Sequence, residues 1–313
     1  MAADYAALKK GGWMRQKQKN RFALRIHVIG GKMTEEQLIG VSKVAEKYGH
    51  GYVHLTARQS LEIPYMKLED IEEIKKELAK YNVEPSVCGP RVRTTTACQG
   101  ADTCPSACIY TYELAEEIDQ RYFAKELPGK FKFGITGCQN NCLKTEENDI
   151  GIKGAERVEW IPDKCIQCGV CVKACREGAV TLEDGKISID QDKCTYCGRC
   201  AKSCPMDAYE EHPGYIMSFG GMYGNHFHKG RQLTPFVESH DKLIQMCDAT
   251  IQFFHDHALP GDRLQFAIAR EGEDKFDAMI RKVYATSEEE AHAQASKPLE
   301  LTDWKLRPDL QKK

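Results

Sequence analysis

The sequence lacks any long apolar run. None of its 313 residues fall in a stretch of eighteen consecutive apolar residues, roughly the minimum for a membrane-spanning helix. The basic N-terminal segment is not followed by the apolar core that a secretory signal carries. We therefore expect no membrane insertion and a cytoplasmic location.

The chain also lacks an excess of charge of either sign. Its 44 lysines and arginines nearly balance its 46 aspartates and glutamates, which leaves a formal net charge of -2. Such a balance gives no reason to expect nucleic acid or an anionic membrane as a partner. Any cationic binding site must therefore be local.

Cysteine, in contrast, is abundant. The chain has 15 cysteines, far more than packing requires, and 42% hydrophobic residues, which is enough for an ordinary core. Their spacings are typical of metal sites rather than of a small disulfide scaffold. We expect a reducing, anaerobic compartment and a chain of two or three domains.

Two separated cysteine pairs form the first motif. Cys98 and Cys104 are spaced C-x5-C, and Cys138 and Cys142 are spaced C-x3-C. Thiolates are the ligands of iron-sulfur clusters, and two distant pairs can hold one [4Fe-4S] cluster when the fold brings them together. Cys108 is an alternative ligand, although a small buried core cysteine is the commoner interpretation.

The second motif is an internal repeat of C-x2-C-x2-C-x3-C within residues 161–205. This is the bacterial two-cluster ferredoxin pattern, in which the fourth cysteine of each run ligates the other cluster. Zinc ribbons use two C-x2-C pairs rather than eight cysteines in this order. The predicted ligand sets are Cys165, Cys168, Cys171 and Cys204 for one [4Fe-4S] cluster and Cys194, Cys197, Cys200 and Cys175 for the other. We interpret the remaining cysteines, Cys88, Cys108 and Cys247, as structural.

Cations alternate with apolar residues at three places: Arg25 and His27, Arg91 and Arg93, and Lys130 and Lys132. Alternate residues of a strand point to the same face. One such pair is as well explained by an exposed edge strand. Three pairs, two of them next to cysteine pairs, favour an anion-binding site.

The first part of the chain predicts a βαββα order. Strands are predicted at 22–29, 52–56 and 61–65, and helices after the capping box that begins at Thr34 and over 68–81. This order is most of a ferredoxin-like α+β half-domain. Further helices are predicted over 105–123, 234–257 and 274–284.

Four segments resemble the siroheme-dependent sulfite and nitrite reductase family. They are LRIHVIGG, LTARQ, VRTTTAC and KFKFGITGCQNNC. The resemblance implies that Cys142 bridges the first cluster to siroheme. It also implies that Arg25, Arg93, Lys130 and Lys132 line the substrate pocket, with Arg58 and Arg91 near the cofactor. Burying a polycarboxylate cofactor and an oxyanion requires such cations.

A glycine-rich stretch, SFGGMYGNHFHKGRQL, follows the repeat. Glycines let backbone amides approach a ligand closely. A similar stretch wraps siroheme in related reductases, which implies cofactor contacts from Gly220, Gly221 and Lys229. A plain glycine-rich loop is the alternative.

Taken with the resemblance, these patterns predict an α+β chain with a ferredoxin-like half-domain, an α/β siroheme and [4Fe-4S] domain, and an inserted 2[4Fe-4S] ferredoxin domain. The expected ranges are a loose N-terminal arm at 1–20, the half-domain at 21–85, the cofactor domain at 86–160 and 206–285, the insert at 161–205, and a tail at 286–313.

The function that the resemblance implies is the six-electron reduction of sulfite to sulfide. Nitrite reduction to ammonium is the first alternative, because both anions need a cationic pocket. A noncatalytic iron-sulfur electron-transfer subunit is the second. No flavin or nicotinamide motif is convincing, so we expect the electron donor to be another subunit or a free ferredoxin, and an oligomeric assembly.

Overall fold

A computed structural model describes residues 4–302 and 304. The first part of the chain forms a four-stranded antiparallel sheet in the order β1-β2-β4-β3 with helices packed on it. Its elements are α1 (Tyr5–Lys10), β1 (Trp13–Arg15), β2 (Phe22–Arg25), α2 (Glu35–Tyr48), β3 (His54–Leu55), β4 (Leu61–Met66) and α3 (Ile71–Ala79).

The predicted βαββα order is confirmed. Helix α2 begins after Thr34, whose hydroxyl accepts a hydrogen bond from the Gln37 amide while the Gln37 side chain accepts one from the Thr34 amide. It ends at Gly49 and buries Val41 and Val44 against the sheet. The first two predicted strands are shorter than expected, since they end at Arg25 and at Leu55, whereas the third extends one residue further, to Met66.

The prediction of a loose N-terminal arm is wrong for residues 4–20, and positions 1–3 lie outside the described residues. Strand β1 pairs with β2, with Trp13 opposite Leu24, and the Trp13 side chain is buried. Asp4 caps α1 by accepting hydrogen bonds from the amides of Ala6 and Ala7. Burial of Trp13 in the half-domain core explains why this polar segment is ordered.

The second part of the chain begins with β5 (Thr96–Ala97), α4 (Thr111–Tyr122), β6 (Phe133–Thr136) and β7 (Ile150–Trp160). Strands β5, β6 and β7 are parallel neighbours. The predicted helix start at Pro105 is wrong, because α4 begins at Thr111. Residues before it form long-range bonds instead: the Cys108 amide donates to the Gly137 carbonyl at 2.7 Å.

A compact segment leaves the sheet after β7. It contains α5 (Val170–Ala174), the hairpin of β8 (Val180–Glu183) and β9 (Lys186–Ile189), and α6 (Arg199–Lys202). The chain then returns as β10 (Tyr209–Phe219), which pairs with β7 over eleven residues from Trp160 opposite Tyr209 to Ile150 opposite Phe219. The segment is therefore spliced between two long antiparallel strands.

The remaining elements are a separate two-stranded ribbon of β11 and β12, the strand that completes the second sheet in the order β13-β10-β7-β6-β5, and helices that cover that sheet. They are β11 (Met222–Tyr223), β12 (Phe227–His228), β13 (Arg231–Gln232), α7 (His240–His257), α8 (Leu264–Glu271), α9 (Glu273–Tyr284) and α10 (Glu288–Ala295). Helix α7 begins at His240 with Ser239 as its cap, not at Pro235 as predicted.

The described part of the predicted tail is folded. Helix α10 packs on α7, and the chain beyond it is held by Arg121, whose guanidinium donates to the carbonyls of Ala295 and Lys297. The predicted tail thus contains a surface helix packed on the main domain, and positions 303 and 305–313 lie outside the described residues. Among the residues described, no helix has the length and apolarity to cross a membrane.

Candidate active site and metal centres

The sheet brings the first cysteine pairs together. Cys98 follows β5 and Cys138 follows β6, and these parallel neighbours end at the same edge of the sheet. The Cys98 amide donates to the Ile135 carbonyl at 3.1 Å, and its sulfur accepts a hydrogen bond from the Gly137 amide at 3.1 Å. Strand register thus fixes one cysteine from each pair.

Cys104 and Cys142 join them. Burial raises the pKa of the Cys138 thiol, and the nearby thiols of Cys104, Cys142 and Cys98 raise it further. Four thiols that interact in this way fit the donor set of one [4Fe-4S] cluster.

A cationic cleft of about 330 Å³ opens at the opposite end of these strands. Lys132 directly precedes β6 and Cys138 follows it, so a strand of about 13 Å separates the cleft from the cysteines. The cleft is lined by Arg25, Thr56, Ala57, Arg58, Ser60, Ser86, Val87, Arg93, Thr94, Lys130 and Lys132. Five of the predicted cations are therefore neighbours, and no carboxylate is among these described lining residues.

Burial and neighbouring positive charges lower the pKa values of the lysine ammonium groups in the cleft. The pKa of Lys132 is lowered to about 8, first by burial and then by the positive charges of Arg58 and Arg263. Burial also lowers the pKa of Lys130, with Arg263 and Arg93 next in effect. Such shifts mean that the cleft favours a bound anion, which would compensate these charges.

The arginines are held in place by backbone and side-chain acceptors. Arg58 donates to Asn148 Oδ1 and to the Thr94 carbonyl, each at 2.9 Å, and burial lowers its pKa to about 10. Arg93 donates to the carbonyls of Val87 and Gly89. Both guanidinium groups are therefore fixed before any ligand binds.

Arg25 differs from the other cleft cations because it already has an anionic partner. Its Nε donates to Glu62 Oε1 at 2.5 Å and its Nη1 donates to Cys88 Sγ at 3.1 Å. Burial alone lowers the pKa of Arg25, but these two hydrogen bonds raise it on balance. Cys88 is buried beneath the cleft, which agrees with a structural role.

A buried ion pair beneath the cleft was missed by the sequence reasoning. Asp149 accepts two hydrogen bonds from Arg263, at 2.7 and 3.0 Å, and one from the Lys132 amide at 2.9 Å. Both side chains are buried. Because the two residues are 114 positions apart and follow no spacing pattern, no sequence signal identified them.

Three predicted cations or polar groups lie outside the cleft. His27 Nε2 contacts Asp119 Oδ2 at 2.7 Å and stacks on Phe123. Arg91 pairs with Glu126 at 2.5 Å. Lys229 is exposed on the connection between β12 and β13. Alternation along a strand predicted His27 and Arg91, and the family resemblance predicted Lys229. Hydrogen bonds to Asp119 and Glu126 hold His27 and Arg91 outside the cleft.

Gly220 and Gly221 of the glycine-rich stretch pack against the chain that follows Cys142. The Gly220 amide donates to the Asp149 carbonyl at 2.9 Å. A Cβ on Gly221 would lie 2.0 Å from the Glu146 carbonyl oxygen and 2.3 Å from that of Asn148. Neither glycine is among the residues that line the cleft, and their predicted contact with a cofactor stays a prediction.

The spliced segment has two cavities, and their cysteine linings match the two predicted ligand sets. Cys165, Cys168, Cys171 and Cys204 line the first cavity. Cys175, Cys194, Cys197 and Cys200 line the second. Each set takes three cysteines from one run and the fourth from the other, which fits the donor arrangement of two [4Fe-4S] clusters.

The other two spare cysteines are placed differently. Cys247 is fully buried in α7 within the main core. Cys108 lies where the spliced segment meets the second sheet domain, and burial raises its pKa to about 12. Its sulfur lies 3.9 Å from the Cys197 carbonyl oxygen and 3.5 Å from Lys202 Nζ, and its role as an alternative ligand stays a prediction.

Comparison with protein families gives two matches. Residues 14–81 match the nitrite/sulfite reductase ferredoxin-like half domain. Residues 88–287 match the nitrite and sulphite reductase 4Fe-4S domain. The first match starts within β1, in agreement with the structural role of that strand.

The proteins to which the chain is similar are also named sulfite or nitrite reductases. The chain is 32% identical over 236 residues to one of the subunits of the anaerobic sulfite reductase of Salmonella typhimurium, covering 69% of each. It is 30% identical over 286 residues to coenzyme F420-dependent sulfite reductase of Methanocaldococcus jannaschii, covering 90% of this chain and 44% of the relative. Nitrite reductases match shorter parts of the chain. The structure of dissimilatory sulfite reductase I superposes with a TM-score of 0.67 at 20% identity, covering 92% of this chain and 72% of that one, and so has the same fold.

Proposed function

Because this chain belongs to the nitrite and sulphite reductase family, we propose that it reduces sulfite to sulfide. The relatives that match the larger parts of the chain are sulfite reductases. The family implies siroheme and one [4Fe-4S] cluster, and the four thiols and the cationic cleft fit such groups. The balanced reaction converts SO₃²⁻, six electrons and seven protons into HS⁻ and three waters.

One observation carries the proposal: five cations line a cleft whose described lining includes no carboxylate. A simple electron-transfer protein needs no such cleft, because an iron-sulfur cluster is held by thiolates alone. Apart from Arg25, which pairs with Glu62, these cations lie close to one another, and burial together with neighbouring positive charges lowers the pKa of each. The cleft therefore supports catalysis on an anion rather than electron relay alone.

We assign roles to the cleft residues by their geometry. Arg93, Lys130 and Lys132, together with Arg25, would hold the oxygens of the anion, where their charge gains value as S–O bonds break. Lys132 would also donate protons to the departing oxygens, because a pKa of about 8 keeps it mostly protonated near neutral pH while allowing proton release. Arg58 would hold a carboxylate of siroheme.

Siroheme and the cluster of Cys98, Cys104, Cys138 and Cys142, when bound, supply electrons to the anion. The chain between Cys142 and β7 connects the two sites, because it returns from the cysteine edge to the cleft edge, where Asn148 accepts a hydrogen bond from Arg58.

We further propose that the spliced segment is a ferredoxin-type relay with two [4Fe-4S] clusters. The support is the pair of cavities with four cysteines each. Cys168 in the first cavity is exposed, whereas Cys197 in the second also faces the cleft that contains Cys138. Electrons from a donor protein would therefore reach the first cluster and leave from the second.

Absorption spectroscopy and metal analysis of protein purified without oxygen test the proposal. We expect the bands of a modified porphyrin and about thirteen iron atoms per chain, four in each of three clusters and one in siroheme. Sulfite turnover with a reduced low-potential dye should produce sulfide. Nitrite serves as the competing substrate in the same assay.

Two results would contradict the proposal. Iron-sulfur absorption without porphyrin bands after assembly with siroheme present would identify an electron-relay protein. A preference for nitrite over sulfite in kcat/KM would identify the other branch of the family.

A further inference from the structure

The two halves of the spliced segment carry a lysine at the same repeat position. Lys173 and Lys202 each lie two residues after the third cysteine of their run. Lys173, on α5, is exposed, and its ammonium group makes no hydrogen bond or ion pair to the described residues. Lys202, on α6, contacts the second sheet domain. The repeat is therefore symmetric in sequence and asymmetric in its contacts.

Lys202 contacts the loop that carries a ligand of the siroheme-side cluster. Its Nζ donates to the Ala107 carbonyl at 2.8 Å and to the Ser106 carbonyl at 3.5 Å. These residues directly follow Cys104 and Pro105. The same Nζ lies 3.6 Å from Glu156 Oε2 on β7. One ammonium group thus joins α6, which contains Cys200, to the Cys104 loop.

A cleft of about 200 Å³ lies at this junction. Cys138 of the first metal centre and Cys197 of the second insert cavity both line it, as do Arg199 and Lys202. This cleft therefore lies directly between the inserted relay and the siroheme-side cluster site. Electron transfer falls steeply with distance, so the width of this gap controls the rate.

We propose that Lys202 is a positioning residue that fixes the gap between the inserted relay and the siroheme-side cluster. The role in electron transfer rests on the proposed function, whereas the docking contact does not. Other contacts hold the base of the insert: the Glu156 amide donates to the Tyr196 carbonyl at 2.7 Å, and the Tyr196 ring stacks on Phe236. Removing the ammonium should therefore loosen the Cys104 loop without unfolding the insert.

Lys202→Met tests the proposal, because it keeps most of the apolar stem and removes the charge. Lys173→Met is the matched control at the equivalent repeat position, and Lys202→Arg retains a cationic donor. Iron content and electron paramagnetic resonance verify the clusters in each variant. Hydrogen exchange of residues 104–108 and 198–204 measures docking, and freeze-quench resonance measures electron transfer from the reduced insert clusters.

We expect Lys202→Met to keep its iron but to exchange faster at 104–108 and transfer electrons more slowly, each by about tenfold, the change in a docking equilibrium when one charge-assisted hydrogen bond is lost. Lys173→Met should match the wild type, and Lys202→Arg should recover most of the rate.

Equal exchange and equal transfer in the two methionine variants would overturn the proposal. Loss of insert iron from Lys202→Met alone would also overturn it, because the residue would then act in cluster assembly. If the wild type lacks insert iron, the relay assignment in the proposed function fails, and the exchange comparison still decides whether Lys202 holds the loop.

Discussion

At the scale of single residues, the cleft brings together positive charges that repel one another. Arg58, Arg93, Lys130 and Lys132 are brought together, and each has its pKa lowered, in every case first by burial. Their repulsion is a cost of folding that a bound anion offsets. The anion that binds here would therefore stabilise the protein as well as react.

Lys132 gives a prediction about pH. Its charged form, which binds the anion and carries a proton, predominates below its pKa of about 8 and is lost as pH rises through that value. Sulfite turnover should therefore fall on the alkaline side of pH 8. Lys132→Met should lower kcat by roughly 10²–10³, as when one donor to a developing negative charge is removed.

Lys132→Arg is the informative control for that prediction. An arginine keeps the charge but does not titrate in this range, so KM should change little and the alkaline decline should weaken, while kcat falls because proton donation is lost. Steady-state rates from pH 6 to 10 give the comparison. An unchanged alkaline decline in Lys132→Arg would show that another group controls it.

Residue patterns predicted most of the cations that line the cleft but not the buried ion pair beneath it. Alternation before each cysteine pair identified Arg93 and Lys132, because strands place alternate residues on one face. It also suggested Arg91, which pairs with Glu126 instead. Asp149 and Arg263 remained unpredicted, since an ion pair between distant segments has no local period.

At the scale of elements, close packing of two loops supports the site. Gly221 lies against the Glu146 and Asn148 carbonyls with no room for a side chain, and Asn148 in turn accepts a hydrogen bond from Arg58. Displacement of this loop would therefore move Asn148 and, through it, Arg58 in the cleft.

Gly221→Ala tests that connection. The added methyl group must displace backbone, so we expect a loss of roughly 1–3 kcal/mol in stability and weaker siroheme retention. Gly224→Ala in the same loop is the control, because its Cβ would meet no atom within 4 Å. Thermal unfolding and the porphyrin-to-protein absorbance ratio measure both effects. Equal behaviour of the two variants would contradict the packing argument.

Local signals predicted elements where a local interaction defines their ends. The capping box placed the start of α2 at Glu35, as observed. The same reasoning misplaced the start of α4, because the segment after Pro105 bonds to Gly137 and to the loop before it rather than to its own next turn. Tertiary hydrogen bonds of this kind are invisible to propensity.

At the scale of the whole molecule, the second sheet domain and the spliced segment have separate cores and meet at the cleft that Cys138 and Cys197 line. The relay cavities have their own small core around Cys171, Val180 and Tyr209. Loss of one relay cluster should therefore leave the main domain intact.

Cys168→Ser tests that independence. The side chain lies in the first cavity and is exposed, so we expect a loss of about four irons with the porphyrin spectrum retained. Dye-driven sulfite reduction should persist, whereas turnover with a reduced ferredoxin should fall. Cys142→Ser is the contrasting variant, since it should abolish both activities. Loss of the porphyrin bands in Cys168→Ser would contradict the separation.

The cysteine repeat predicted the relay ligand sets from sequence alone, and both sets line single cavities. The two chain ends were predicted poorly. Trp13 packs in the half-domain core and the helix after α9 packs on α7, and the composition of the two end segments does not predict these tertiary contacts. A cysteine motif indicates which residues could bind a cluster, but it does not indicate what the neighbouring segments pack against.

The pairing of β7 with β10 would allow such an enzyme to change its electron donor without a change in the rest of its fold. Because Trp160 faces Tyr209 directly, deleting everything between them would require of the parent scaffold only a tight hairpin turn. If the spliced segment is the proposed relay, it could therefore be exchanged for another segment of similar end-to-end spacing, and the same cleft could then receive electrons from a different donor protein.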